Sequence, residues 1–240
     1  MTKAKVGPRG PVAAEVDEGA LPEAWRGRAW APILIVAIVV GAVLGAGLLA
    51  DKALEHQVPA ALAGCQTSTQ IAPHEFLGPQ PICITAGSKY QATVNTTQGA
   101  FVIQLYPQIA PTTVNNFIVL AIHGYYNGLT FWDAPDWEVQ AGDPKGNGTG
   151  GPGYNLPEEP TPEFTWDPGA VGMARIPGGP INGSQFFIVK STWPNGGPTT
   201  VYNRFGTVIS GLDKVSAISA GDRINTVTIT VSNPTASPSR

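Results

Sequence analysis

Hydrophobic positions change rhythm along the chain. Ala31 to Ala50 is apolar without interruption, holding no charged, amide or aromatic side chain. Twenty helical residues rise about 30 Å, the thickness of a bilayer's hydrocarbon core. A soluble helix of that length carries a polar stripe, so the run predicts a transmembrane helix over 29–50, with Trp30 at its edge. From Tyr90 the period becomes two. Tyr90–Thr96 and Ala100–Tyr106 alternate on either side of Thr97-Gln98-Gly99, which predicts a hairpin. Thr112–Ile122 then places Val114, Phe117, Ile118 and Ala121 at helical spacing, with Pro111 opening the helix and Gly124 closing it. Short strand candidates follow at Val139–Ala141, Val171–Ala174, Gln185–Val189, Phe205–Val208 and Thr226–Val231, interrupted by a short helix at Leu212–Ile218. Many strands with two helices predict a mainly β barrel or sandwich closed by helices.

The flanks of the apolar run add topology. Arg26 and Arg28 precede it and Lys52 follows beside Asp51 and Glu55, a bias that places the N-terminus in the cytoplasm. The expected organisation is a disordered tail over 1–28, the membrane helix over 29–50, an extracytoplasmic linker over 51–84, a folded domain over 85–233 and a polar tail over 234–240. The expected localisation is a single-pass cell-membrane protein whose C-terminal domain lies outside. Leu62-Ala63-Gly64-Cys65 resembles a lipobox and Ala61-Leu62-Ala63 a cleavage site, but both lie more than ten residues beyond the apolar run. Gly41 and Gly45 could let two membrane helices approach closely, although small residues are common in such helices. Cys65 and Cys83 are the only cysteines. An extracytoplasmic location permits a disulfide between them; two free thiols, or one lipidated cysteine, are the alternatives.

Composition narrows the function classes. Lys and Arg number 14 against 17 Asp and Glu, for a net charge of −3, which excludes the basic footprint of a nucleic-acid binder. Glycine (29) and proline (23) exceed a fifth of the chain, too many for a helical bundle. Charged residues at 13% against hydrophobic ones at 42% exclude disorder throughout. No Gly-x-Ser-x-Gly elbow is present, and the glycine-rich Gly146–Gly151 lacks the Lys and Ser/Thr of a phosphate cradle. His56, His74 and His123 are scattered, so no metal site is expected, and no cofactor. Asp133, Asp136, Glu138, Asp143, Glu158 and Glu159 read first as surface acids. What remains is a set of amides and aromatics: Gln140, Asn182, Gln185, Phe186, Phe187, Trp137, Trp193 and Tyr202. Such groups bind and polarise a peptide without breaking its bonds.

Five segments in order carry a family resemblance. They are Ala110–Phe117, Gly124–Phe131, Gln140–Pro144 with Gly148–Tyr154, Met173–Arg175 with Asn182–Ile188, and Phe205–Asp213. Together they resemble the cyclophilins from about Tyr90 to Val231. The resemblance implies an eight-stranded antiparallel β-barrel capped by two helices, and peptidyl-prolyl cis/trans isomerase activity without a cofactor. Its partners would be proline-containing segments of unfolded or exported proteins. By the same resemblance Gln140 positions substrate and the usual arginine, Phe187 is the floor of the proline pocket, and Trp137 takes the place of a pocket phenylalanine. Ala174, Gln185 and Gly148 match substrate-contacting positions, Trp193 a pocket tryptophan, and Tyr202 a position usually His or Tyr.

The segment Phe131–Gln140 departs from the family. It is one residue short, Asp133 stands where the resemblance places the catalytic arginine, and Glu138 replaces a pocket methionine. Three readings follow: an isomerase in which Arg175 substitutes from the neighbouring strand, a weak or inactive domain that binds proline peptides, or a structural domain. Arg175 alternatively reads as a solvated rim residue. The retained aromatics favour binding over drift, and the acidic cluster favours basic residues flanking the proline.

Overall fold

The computed structural model describes residues 58–85, 87–159, 165–176, 178–198 and 200–232. The expected tails over 1–28 and 234–240, the transmembrane helix and its glycine pair lie outside these residues. Among the described residues no helix is long and apolar enough to cross a membrane. A 3-10 turn at Ala60–Gln66 is followed by β1 (Gln70–Ala72), β2 (Glu75–Phe76), β3 (Lys89–Thr96), β4 (Gly99–Leu105) and α1 (Pro111–Ile122). Then come β5 (Glu138–Ala141), β6 (Asn155–Leu156), β7 (Ala170–Arg175), β8 (Ile181–Val189), β9 (Arg204–Ser210), α2 (Leu212–Ala217) and β10 (Ile224–Ser232).

All pairings in the large sheet are antiparallel, in the order β10-β3-β4-β9-β7-β8-β5, with β6 added to β8. β3 shows why the sheet curls around one core. Tyr90, Ala92, Val94 and Thr96 are buried while their neighbours are less covered, so one face of the pleat is apolar. The β3–β4 hairpin turns at Thr97-Gln98, and Gly99 supplies the positive φ (+112°) that follows it. β7 and β8 differ, because nearly every residue in them is buried. Val171, Met173, Phe186 and Ile188 point into the main core, whereas Ala170, Ala174, Phe187 and Val189 form a second apolar cluster. Period-two alternation puts that second cluster on the outer face of the sheet.

The resemblance implied a closed barrel. The strand ladder is instead an open, curled path whose ends are tied by residues 128–133. Gly128 N–H donates to the Ile224 carbonyl and Phe131 N–H to that of Asp222, beside β10. Trp132 N–H donates to the Gln140 carbonyl, and Gln140 N–H to that of Asp133, on β5. Pro135 has no N–H to extend this pairing, so the seam stays short.

The segment 58–84, expected as linker, is fastened to the domain. Leu62 and Cys65 are buried in the main core. Cys65 and Cys83 form a disulfide, and the Asn115 side chain of α1 accepts from Cys83 N–H (2.8 Å) and donates to the Pro81 carbonyl (2.9 Å). Residues 58–84 therefore pack with the folded domain instead of standing apart from it. α1 lacks a side-chain N-cap at Ala110. Its first amides donate instead to Glu159, at 2.8 Å from Thr112 and 2.9 Å from Thr113, which places an anion at the helix's positive end.

Candidate functional site

Register builds the site. Asp133 pairs with Gln140 in an isolated bridge, Gln140 with Phe187, and Phe187 with Gly172. Directly opposed residues project to the same face, so these four form one row across the outer side of the sheet. Glu138 opposes Val189 on that same face, two residues along β5.

Rings close over the middle of the row. Phe187 meets Trp193 at 5.6 Å and Tyr202 at 5.1 Å, both edge to face, and Trp137 contacts Trp193 at 4.6 Å. The expected pocket residues are thus brought together. A further ring, Trp166, stacks on Phe187 at 5.2 Å and touches Trp193 and Tyr202. Phe187 is left 2% exposed, so a proline ring reaches it only when one of these rings moves. Trp166 is absent from the sequence-derived set. Its signal was Gly172: a glycine inside a strand marks close approach of another group, and a Cβ there would lie 2.6 Å from Trp166 and 2.7 Å from Phe187. Arg204 donates to the Thr165 carbonyl and holds the segment carrying Trp166.

Beyond Gln140 the row borders a cavity of about 450 Å³ lined by Trp132, Gln140, Gly148, Ala174, Arg175 and Gln185, among others. Its rim is the loop 143–151, organised by Asp143. This carboxylate is 1% exposed and accepts from the amides of Lys145 (2.7 Å), Asn147 (2.9 Å) and Gly148 (2.6 Å). Burial pushes its pKa up, but these amides and that of Gly150 outweigh burial and hold it below the usual carboxylate value. Asp143 is therefore a structural anion rather than the surface acid expected. Gln185 completes the rim by donating to the carbonyls of Gly148 (3.1 Å) and Gly150 (2.7 Å). Its amide hydrogens are engaged by the loop, which leaves the carbonyl oxygen as its polar group for a ligand.

The acids on the other side of the row have no such support. Glu138 is 4% exposed, and its Oε1 accepts from Gln140 Nε2 at 2.7 Å. Burial raises its pKa to about 7, the Gln140 hydrogen bond opposes this, and the Asp133 charge adds to it. Glu138, too, is not a surface acid. Tyr202 is raised by burial and by Glu138, against the opposite pull of Arg175.

Arg175 is not the solvated rim residue considered from sequence. Its side chain is only 10% exposed, and Nη1 donates to Glu158 Oε1 (2.5 Å) and the Val201 carbonyl (3.2 Å). It lines the cavity but makes no hydrogen bond to Asp133, Glu138 or Gln140; Nη1 is committed to Glu158 and Val201, while Nε is buried without a hydrogen-bond partner among the described residues. Among the described residues no group of three or more His, Cys, Asp or Glu could hold a metal ion.

Comparison with known proteins gives a consistent result. The profile of the family described as "Cyclophilin type peptidyl-prolyl cis-trans isomerase/CLD" matches residues 91–235. The chain is 44% identical over 130 residues to "Peptidyl-prolyl cis-trans isomerase B" of Bacillus subtilis, covering 52% of this chain and 87% of that one. It is 38% identical over 144 residues to "Peptidyl-prolyl cis-trans isomerase" of Synechococcus elongatus, covering 58% and 95%. Among solved structures, the fold superposes on a cyclophilin type peptidyl-prolyl cis-trans isomerase of Cryptosporidium parvum with a TM-score of 0.53 at 28% identity, covering 61% of this chain and 99% of that one. A second crystal structure of that protein, in the presence of the dipeptide Ala-Pro, gives a TM-score of 0.52 at 28% identity, covering 58% and 98%.

Proposed function

From the premise that the chain belongs to the cyclophilin-type peptidyl-prolyl cis-trans isomerase family, we propose that it isomerises X–Pro bonds in exported or envelope proteins. The observation that carries this reading is the single outer face on which Gln140, Phe187, Trp193 and Tyr202 meet beside a cavity bordered by Ala174 and Gln185.

Rotation about X–Pro crosses a barrier of roughly 18–20 kcal/mol because the amide loses resonance. An enzyme lowers it by binding the twisted amide better than either planar form. The Phe187 cluster would take the proline ring, displacing one covering ring. Gln140 and Gln185 would hold flanking carbonyl and amide groups at the cavity. Asp133 weakens the chemistry, since losing a preorganised donor costs roughly 100- to 1000-fold in rate. That cost favours, as the second reading, a domain that binds proline peptides with little turnover. The charge of Asp133 favours basic residues near the proline.

The apolar run Ala31–Ala50 supports a membrane anchor with the domain outside. The Cys65–Cys83 bond agrees with an oxidising compartment. Exchange spectroscopy of a proline peptide tests the activity: cross-peaks between cis and trans signals at substoichiometric protein support catalysis. Binding shifts without cross-peaks support the second reading.

A further inference from the structure

Glu138 occupies a place where the resemblance implies an apolar side chain, and its surroundings are unusual for an acid. Oε1 accepts from Gln140 Nε2, while Oε2 takes no hydrogen bond from any described residue. The ion pairs formed among the described residues are Arg175–Glu158 and Lys214–Asp213, and neither includes Glu138. Facing it are Asp133 from the 128–133 segment and Tyr202 from the segment before β9, while Arg175 on β7 acts on Tyr202. Asp133 adds negative charge, and Arg175 Nη1 is held by Glu158 and Val201. A carboxylate here is dehydrated beside a second anion, conditions that favour the neutral acid. Its pKa is raised to about 7 accordingly. A neutral carboxyl carries one O–H donor, whereas a carboxylate carries none.

We propose that Glu138 in its neutral form donates a hydrogen bond from Oε2 to the twisted prolyl amide, supplying the donor that Asp133 cannot. This rests on the isomerase reading. No covalent bond forms or breaks and the proton stays on Glu138. The hydrogen bond strengthens as resonance is lost and the prolyl nitrogen regains its lone pair, then relaxes as the amide flattens. The two departures from the family act together: Asp133 removes the cation, and its charge adds to the burial that favours neutral Glu138. Asp133 is thereby a positioning residue acting through Glu138.

The test is the exchange rate of a blocked proline peptide without titratable groups, measured from pH 5 to 9 with the full chain in detergent micelles. The wild-type rate is expected to fall about tenfold between pH 6 and pH 8, following the neutral fraction of an acid with a midpoint near 7. Glu138→Gln, which retains a donor but cannot titrate, should show equal rates at pH 6 and pH 8. Glu138→Met should be slow at every pH while still binding the peptide, and Asp133→Asn should move the midpoint downward. A wild-type rate that is flat across the range, or a Glu138→Met rate and profile matching wild type, overturns the proposal alone. Absence of exchange at every pH overturns the isomerase reading and this proposal with it.

Discussion

Two buried acids border the site, and they behave in opposite ways. Asp143 is 1% exposed and Glu138 is 4% exposed, so burial alone would push both toward the neutral form. Asp143 meets four converging amides and stays an anion. Glu138 meets one amide hydrogen bond and the charge of Asp133, and its pKa rises to about 7. The number of donors aimed at a carboxylate decides its charge more than its depth does. One side of the site is consequently a finished scaffold and the other holds unspent polar capacity. Structure and chemistry divide along the line of Gln140.

The sharpest way to break this contrast is to remove the scaffold acid. Asp143→Ala orphans amides along the loop 143–151 and is expected to cost about 2–4 kcal/mol in urea unfolding, with loss of peptide binding. Neutralising the other acid should do the reverse. The folded-state pKa of Glu138 lies above its unfolded value, so its stabilising contribution is complete below about pH 4.5 and is lost as pH rises through 7. Glu138→Gln should therefore unfold like wild type near pH 4 and be more stable by about 3 kcal/mol at pH 8. Asp143, with its depressed pKa, contributes stability that is present above its ordinary value and lost in acid.

Gly172→Val probes the row between the two sides. Its Cβ would press on Trp166 and Phe187, and overpacking of this kind costs about 1–3 kcal/mol. Proline-peptide affinity measured by titration should fall with it. The smallest effect is expected at Arg175. Glu158, its partner, is half exposed, so Arg175→Ala should change stability by less than about 1 kcal/mol and leave the pH profile of exchange in place.

Much of this was legible in the sequence because period and punctuation are local. The alternation of Tyr90–Thr96 and the helical spacing behind Pro111 each led to an element with bounds within a residue or two. The aromatic set at Phe187 was legible through family resemblance, since nothing local brings Trp137, Trp193 and Tyr202 to one strand face. Short elements escaped: β1, β2 and β6 hold two or three residues, too few for a period. Trp166 escaped because its partner is a glycine more than a turn away in sequence and across the sheet face. The fastening of 58–84 escaped because it depends on Asn115 and a disulfide, both tertiary. The charge state of Glu138 escaped for the same reason, since composition cannot tell a solvated acid from a dehydrated one.

The central claim is that this face turns over X–Pro bonds although Asp133 stands where the family's arginine is expected. The most direct measurement is exchange spectroscopy of a blocked Ala-Pro peptide at pH 6 with wild type and Asp133→Arg. Cross-peaks with wild type are the expected result, with a faster rate for Asp133→Arg, which places a cation at the family's usual position. A wild-type protein that binds the peptide yet produces no exchange, while Asp133→Arg does, would contradict the claim and leave peptide binding as the function.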